Sequence, residues 1–317
     1  MISPSERGFM NNFYRLVSMP PLSTEEEKRA FVQACDKDFE ARLASLAERI
    51  ASGSELQFIG LTGPTCSGKT TAAHKLTEAL KEHGHRVHVV SIDDFYYDKS
   101  YLTERAEKDE SIEIDYDSEE TIDVSLLEEK TASLLLGKET EMPRFDFQSG
   151  VRCKGKIIAP KEGDVFLFEG IQILYPKVHR ILGQGAYQSV YIAPMSAIKA
   201  NGKQFSPNRI RLMRRLVRDS IYRSSDASFT LYLWQSVREN EEKSIFPNAH
   251  LCNSFLDSTC AYELGMLKPY LERLLKDSLK KDGREQDAAQ TILGELADIE
   301  SISSDYITPN SLYKEFI

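Results

Sequence analysis

Two rhythms of apolar residues run along the chain. Phe39, Leu43, Leu46 and Ile50 recur at steps of three or four, the period of one helix face. Ser23 and Thr24, followed three residues later by Glu26 and Glu27, offer a capping box ahead of that helix. Pro20-Pro21 stops whatever precedes it, and Gly53 ends the run. From Leu56 the pattern tightens. Leu56–Leu61, Arg86–Ile92, Val165–Phe168 and Ser189–Ile192 are short apolar runs that predict buried strands. Between and after them, helical spacing predicts helices over 69–83, 125–136, 208–223, 226–243 and 261–281, the first two closed by Gly84 and Gly137. Strands alternating with helices predict an α/β domain built on a mainly parallel sheet.

The pattern divides the chain into an N-terminal helical extension (1–55), a main domain (56–284) and a C-terminal helix and tail (285–317). The first helix is read as packed on the main domain, with a dimerisation arm of a homo-oligomer as the alternative. Its 317 residues suit one large domain or two modest ones at about 100–200 residues each. Acids outnumber bases 49 to 40, a net charge of −9, which argues against general nucleic-acid binding. No apolar run approaches the roughly 18–20 residues of a membrane span. The start, MISPSERGFMNNFYRLV, lacks a secretory layout. Cys35, Cys66, Cys153, Cys252 and Cys260 are odd in number and form no CxxC pair, as expected of free thiols in a cytoplasmic protein. Residues 104–123 carry ten acids and two bases and read as a solvated loop.

Candidate chemistry begins at the end of the first strand. Gly63-Pro64-Thr65-Cys66-Ser67-Gly68-Lys69-Thr70 fits GxxxxGK[ST] between a strand and a helix. Gly63 and Gly68 let the backbone curl, and the N–H groups through Cys66, Ser67 and Thr71 can point at phosphate oxygens. Lys69 reaches the β- and γ-phosphates, and the Thr70 hydroxyl suits Mg²⁺. These residues predict an ATP site of the P-loop NTPase type. Asp93 and Asp94 follow the second strand, where open α/β sheets bind ligands. Either can orient an acceptor hydroxyl and take its proton, and spacing does not rank them. Glu169 ends a strand in the Walker-B manner and suits Mg²⁺. Arg211, Arg214, Arg215 and Arg218 fall largely on one helical face, as a lid over a triphosphate requires.

Together GPTCSGKTT, SIDDFYY, MPRFDF, FEGI and RLMRRLVRD, in this order over roughly 56–275, resemble the uridine kinase and phosphoribulokinase family, nearest a bacterial uridine-kinase-like branch. The resemblance implies a P-loop kinase with a helical lid, using ATP and Mg²⁺ on a small hydroxyl acceptor, first a nucleoside 5′-OH. It makes Asp94 the general base and Asp93 its acceptor-side neighbour. It places Tyr97 and Asp117 on the nucleoside, Asp117 at the ribose, and Phe145 beside the base. The same resemblance makes Arg211, Arg214, Arg215 and Arg218 the lid helix; Arg215 is taken for the transferring phosphoryl and Arg211, Arg214 and Arg218 for ATP, as near-equal candidates. Arg152 completes the acceptor candidates. A His that reads the pyrimidine in uridine–cytidine kinases falls here at about Gly150. A sugar phosphate, a pantothenate-like alcohol, or a non-catalytic ATP-binding module are the alternatives.

Overall fold

The computed structural model describes residues 15–53, 55–108, 118–280 and 283–317. In chain order the elements are β1 (Leu16–Ser18), α1 (Glu25–Ala51), β2 (Phe58–Thr62), α2 (Lys69–Glu82), β3 (Val87–Ser91), α3 (Lys99–Lys108) and α4 (Val124–Leu135). There follow β4 (Thr140–Asp146), β5 (Val151–Ile158), β6 (Val165–Glu169), α5 (Pro176–Leu182), β7 (Tyr187–Ala193), β8 (Ala197–Ala200), β9 (Lys203–Phe205) and α6 (Pro207–Arg223). The chain closes with α7 (Ala227–Asn240), β10 (Ser254–Asp257), α8 (Glu263–Leu274) and α9 (Arg284–Leu296).

The central sheet has the order β10-β7-β2-β6-β3, and every pairing in it is parallel. Strands that are buried on both faces need apolar side chains at every position, which is why β2 and β6 read as unbroken apolar runs. Alternation then sorts those side chains. Ile59, Leu61, Val165 and Leu167 pack with α1 and α2, whereas Phe58, Phe166 and Phe168 pack on the opposite side with α4 and α5. The parallel order brings the C-terminal ends of β2, β3 and β6 side by side, with Glu169 beside Leu61 on one flank and Ser91 on the other.

Three features exceed the sequence pattern. A β4–β5 antiparallel hairpin carries the MPRFDF stretch. β1 pairs parallel with β8, which pairs antiparallel with β9. β10 adds a fifth strand to the sheet. The helix expected over 226–243 gives way after Asn240 to a π-helical turn, Glu241–Ile245. Such turns widen the backbone where a side chain must be re-aimed.

Thr24 caps α1 through the expected box: its hydroxyl accepts from Glu27 N at 3.2 Å, and Glu27 Oε2 accepts from Thr24 N at 2.9 Å. Phe39, Leu43, Leu46 and Ile50 are buried against α2 and the sheet. The last segment shares a core with α6 and α8, through Ile292, Leu296, Tyr313 and Phe316. Buried Asp36 of α1 ties these parts together. Its Oδ1 accepts from Tyr262 Oη at 2.7 Å and Ser311 Oγ at 2.9 Å; its Oδ2 accepts from Thr308 N at 3.1 Å and Thr308 Oγ1 at 3.0 Å. Hydrogen bonds to a charged acceptor contribute more than neutral ones. Asp36→Ala is therefore expected to lower the unfolding free energy by about 3 kcal/mol, against about 1 kcal/mol for Tyr262→Phe. Urea unfolding of the two variants checks this; equal, small losses would show that Asp36 does not hold the tail.

Candidate active site

β2 ends at Thr62, and the loop that follows turns on glycines. Gly63 has φ 152°, and a Cβ there would run into the carbonyl oxygen of Ile192. Gly68 has φ 93° and serves as N-cap of α2 without offering a side-chain acceptor. The first amides of α2 therefore face the cleft end of the helix dipole with no cap of their own residue type, the arrangement that suits an anion. Cys66 holds a left-handed φ of 56°, strained for a non-glycine residue. Lys69 arches back over the loop, donating to Gly63 O and Pro64 O at 3.0 Å each. Burial pushes its pKa down, opposed by the carboxylates of Glu169, Glu315 and Asp93. Ser67 is wholly buried, and among the described residues its Oγ has no hydrogen-bond partner.

A cleft of ≈ 330 Å³ opens at this loop. Lys69, Thr70, Asp93, Tyr96, Phe147 and Glu169 line it, together with Arg215, Arg218, Arg223 and Asn240. Ser91 Oγ donates to Glu169 Oε1 at 2.8 Å, and burial raises the Glu169 pKa. Glu169 and Thr70 line the same cleft, and a carboxylate with a hydroxyl is an oxygen donor set that suits a hard cation. Among the described residues no three His, Cys, Asp or Glu side chains form a ready metal cage. Mg²⁺ does not require one, because it takes one or two protein carboxylates and fills the rest of its shell with phosphate and water. Thr70 and Glu169 fit that role.

The two adjacent aspartates, of which Asp94 was the expected base, part company. They lie in a 3₁₀ turn, Ile92–Phe95, where successive side chains project about 120° apart, so both cannot face one cleft. Asp93 lines the cleft, and Gln172 Nε2 donates to its Oδ1 at 2.6 Å and to Tyr96 Oη at 3.0 Å. Asp94 turns to the β4–β5 hairpin, where its Oδ1 accepts from Phe145 N at 3.0 Å in a separate hollow with Arg144 and Lys156. Burial raises its pKa there.

The aromatic side chains divide in the same way. Tyr96 and Phe147 reach the cleft, and Phe145 is buried beneath them, its ring 5.6 Å from Tyr96 and 5.1 Å from Phe147. Tyr97 is absent from the lining. It pairs with Tyr101 at 4.7 Å, while Arg152 Nη1 donates to Asp123 Oδ2 at 2.9 Å. Asp117 lies outside the described residues. Gly150 takes φ 70° in the hairpin turn, and its carbonyl accepts from Lys99 N at 2.9 Å.

The arginine helix also divides. Arg211 and Arg214, both expected at ATP, are buried and donate to the loop's backbone. Arg211 donates to Glu241 Oε1 at 2.5 Å, Glu241 Oε2 at 2.7 Å and Thr65 O at 3.2 Å. Arg214 donates to Glu263 Oε2 at 2.6 Å, Ser258 O at 2.7 Å and Cys66 O at 3.3 Å. Arg215 and Arg218 share Asp219, at 3.2 and 2.7 Å, and line the cleft with Arg223. Sequence reasoning missed Gln172, Phe147 and Glu315. Gln172 stands three residues after Glu169 and could have been found; Glu315 Oε2 accepts from Thr71 N at 3.1 Å across a separation of 244 residues, which no local pattern signals.

Residues 58–253 match the model of the phosphoribulokinase / uridine kinase family. The chain belongs to this family. Among relatives, the uridine kinase of Alkaliphilus metalliredigens is 36% identical over 118 residues, 37% of this chain and 53% of that protein. The uridine kinase of Staphylococcus aureus strain JH9 is 32% identical over 192 residues, 60% of this chain and 81% of that protein. The chain thus spans about half the length of some of the curated relatives it matches. The solved D-glycerate 3-kinase of Cryptococcus neoformans var. grubii aligns over 89% of this chain and 88% of its own, at 15% identity and TM-score 0.34.

In this family member the two kinds of arginine predict losses of different size. Removing one partner of a buried pair strands the other charge, so Arg214→Ala should cost about 3–5 kcal/mol of stability. Arg215→Ala leaves Asp219 paired with Arg218 and should cost about 1 kcal/mol or less. Chemical unfolding of both variants checks the contrast, and equal losses would remove the distinction.

Proposed function

We propose that this chain transfers the γ-phosphoryl of ATP to a hydroxyl of a small acceptor, with a nucleoside 5′-OH as the first acceptor class. What carries the reading is that a phosphate loop, Asp93 and two aromatics, Tyr96 and Phe147, share one cleft. The α2 amides would cradle the phosphates, with Lys69 swinging off its loop carbonyls to the β- and γ-oxygens. Mg²⁺ arriving with ATP, held by Thr70 and Glu169, would offset charge gathering on those oxygens. Asp93, its carboxylate oriented by Gln172, would accept the acceptor's proton as the phosphoryl departs. Arg215, Arg218 and Arg223, which line the same cleft, would meet the developing negative charge.

The flat faces of Tyr96 and Phe147 suit a base, and the relatives carrying the name uridine kinase point the same way. A second reading, an anionic acceptor such as a sugar phosphate, is favoured by one observation: among the described residues three arginines line the cleft, and no histidine does.

Asp93→Asn keeps the shape and removes the proton acceptor, so kcat should fall by roughly 10²–10⁴ while ATP affinity holds. Asp94→Asn should change kcat far less and act mainly on the hairpin. Single-turnover phosphoryl transfer with ATP binding measured in parallel decides the order; full rates in both variants would remove proton abstraction from this turn. For the acceptor, uridine or cytidine should raise ATP consumption well above the basal rate, with Lys69→Ala as the inactive control. Stimulation by a sugar phosphate in place of every nucleoside would establish the second reading, and no stimulation by any alcohol would leave an ATP-binding module.

A further inference from the structure

Thr71 belongs to the first turn of α2, whose N–H groups have no partner within the helix. In a phosphate loop such amides are where nucleotide phosphate oxygens sit. Here the Thr71 N–H donates instead to Glu315 Oε2, at 3.1 Å. Glu315 lines the same cleft as Lys69 and Thr70. Its charge acts on Lys69, Glu169 and Arg218.

This contact is placed by packing on both sides of it. Leu312 is buried against Gly68, where a Cβ would come within 2.7 Å of the leucine. Tyr313 is fully buried and donates its hydroxyl to Glu263. Phe316 lies 4.8 Å from the Arg214 guanidinium, the same group that holds Cys66 O. The segment that delivers Glu315 is thus anchored to the loop itself. At the same helix start Lys69 is folded onto its own loop carbonyls, and the buried Ser67 Oγ has no partner among the described residues.

We propose that Glu315 is a further residue of the donor site, holding the Thr71 amide as a stand-in for a nucleotide phosphate oxygen and yielding it when the phosphates bind. The inference rests on the donor-site reading above. Because the anchors are buried, the exchange needs only rotation of the Glu315 side chain and leaves the backbone in place. The carboxylate fills the amide's hydrogen bond while the site is empty, and its negative charge opposes the phosphates that replace it. Glu315 therefore lowers nucleotide affinity and keeps the loop capped between turnovers.

The test is calorimetric titration of the full chain with ADP, with and without Mg²⁺, on wild type, Glu315→Gln and Glu315→Ala. Glu162→Gln is the charge control; Glu162 is exposed in the turn before β6, at the opposite end of that strand from Glu169. Thermal unfolding of each variant verifies the fold. Both Glu315 variants should bind ADP about tenfold more tightly than wild type, the scale expected for removing one unit charge beside another near a protein surface, with Glu162→Gln unchanged. The gain should shrink at high salt. Affinity equal to or weaker than wild type in both Glu315 variants would overturn the proposal while leaving the donor site intact. Absence of ADP binding in wild type and every variant would overturn the donor-site reading itself, and this inference with it.

Discussion

The backbone of the phosphate loop is held from outside by two buried arginines, and the rest of the site depends on that grip. Arg211 and Arg214 donate to the successive carbonyls of Thr65 and Cys66. A loop that offers its N–H groups to an anion turns carbonyls the other way, and buried carbonyls need donors. Guanidinium groups supply several donors in one plane, so each arginine can serve the loop and a carboxylate at once. Glu241 and Glu263 balance the charges, each closing two hydrogen bonds with its arginine. A buried ion pair is weak evidence for stability on its own, because desolvation offsets much of its attraction. Its use here is geometric: it holds Cys66 in a left-handed conformation that few side chains tolerate.

The carboxylate partners come from places that the loop could not reach alone. Glu241 opens the π-helical turn after α7, and Glu263 starts α8. Tyr313 and Phe316 of the tail close over Arg214, and Asp36 of α1 fixes the tail from behind through Ser311 and Thr308. Elements from both ends of the chain are therefore part of the mechanical support of the loop. The parallel sheet supplies the other half of the site, since its order sets the ends of β2, β3 and β6 in a row and brings the loop, the Asp93 turn and Glu169 to one edge.

Much of this was legible in the residues. Unbroken apolar runs marked β2 and β6, because a strand covered on both faces has no polar position to show. The capping box of Thr24 and Glu27 marked the start of α1, and GxxxxGKT marked the anion site, because left-handed turns and close backbone approach restrict those positions to glycine. The hairpin β4–β5 and the short strands β1, β8, β9 and β10 left weaker traces. Their residues alternate or run for only three or four positions, and their pairing is decided by distant partners.

What the sequence by itself determined was the kind of chemistry: which residue types stand at the ends of which strands, and that a phosphate loop is among them. Only the tertiary structure decided which member of each group faces the cleft. A 3₁₀ turn separates Asp93 from Asp94 by about a third of a revolution, so one meets the loop and the other meets the hairpin. On α6, helical spacing puts four arginines on one face, yet the loop covers Arg211 and Arg214 and leaves Arg215 and Arg218 at the opening. Helical period fixes direction around an axis, whereas burial depends on what packs against each turn, and that is a property of the assembled chain.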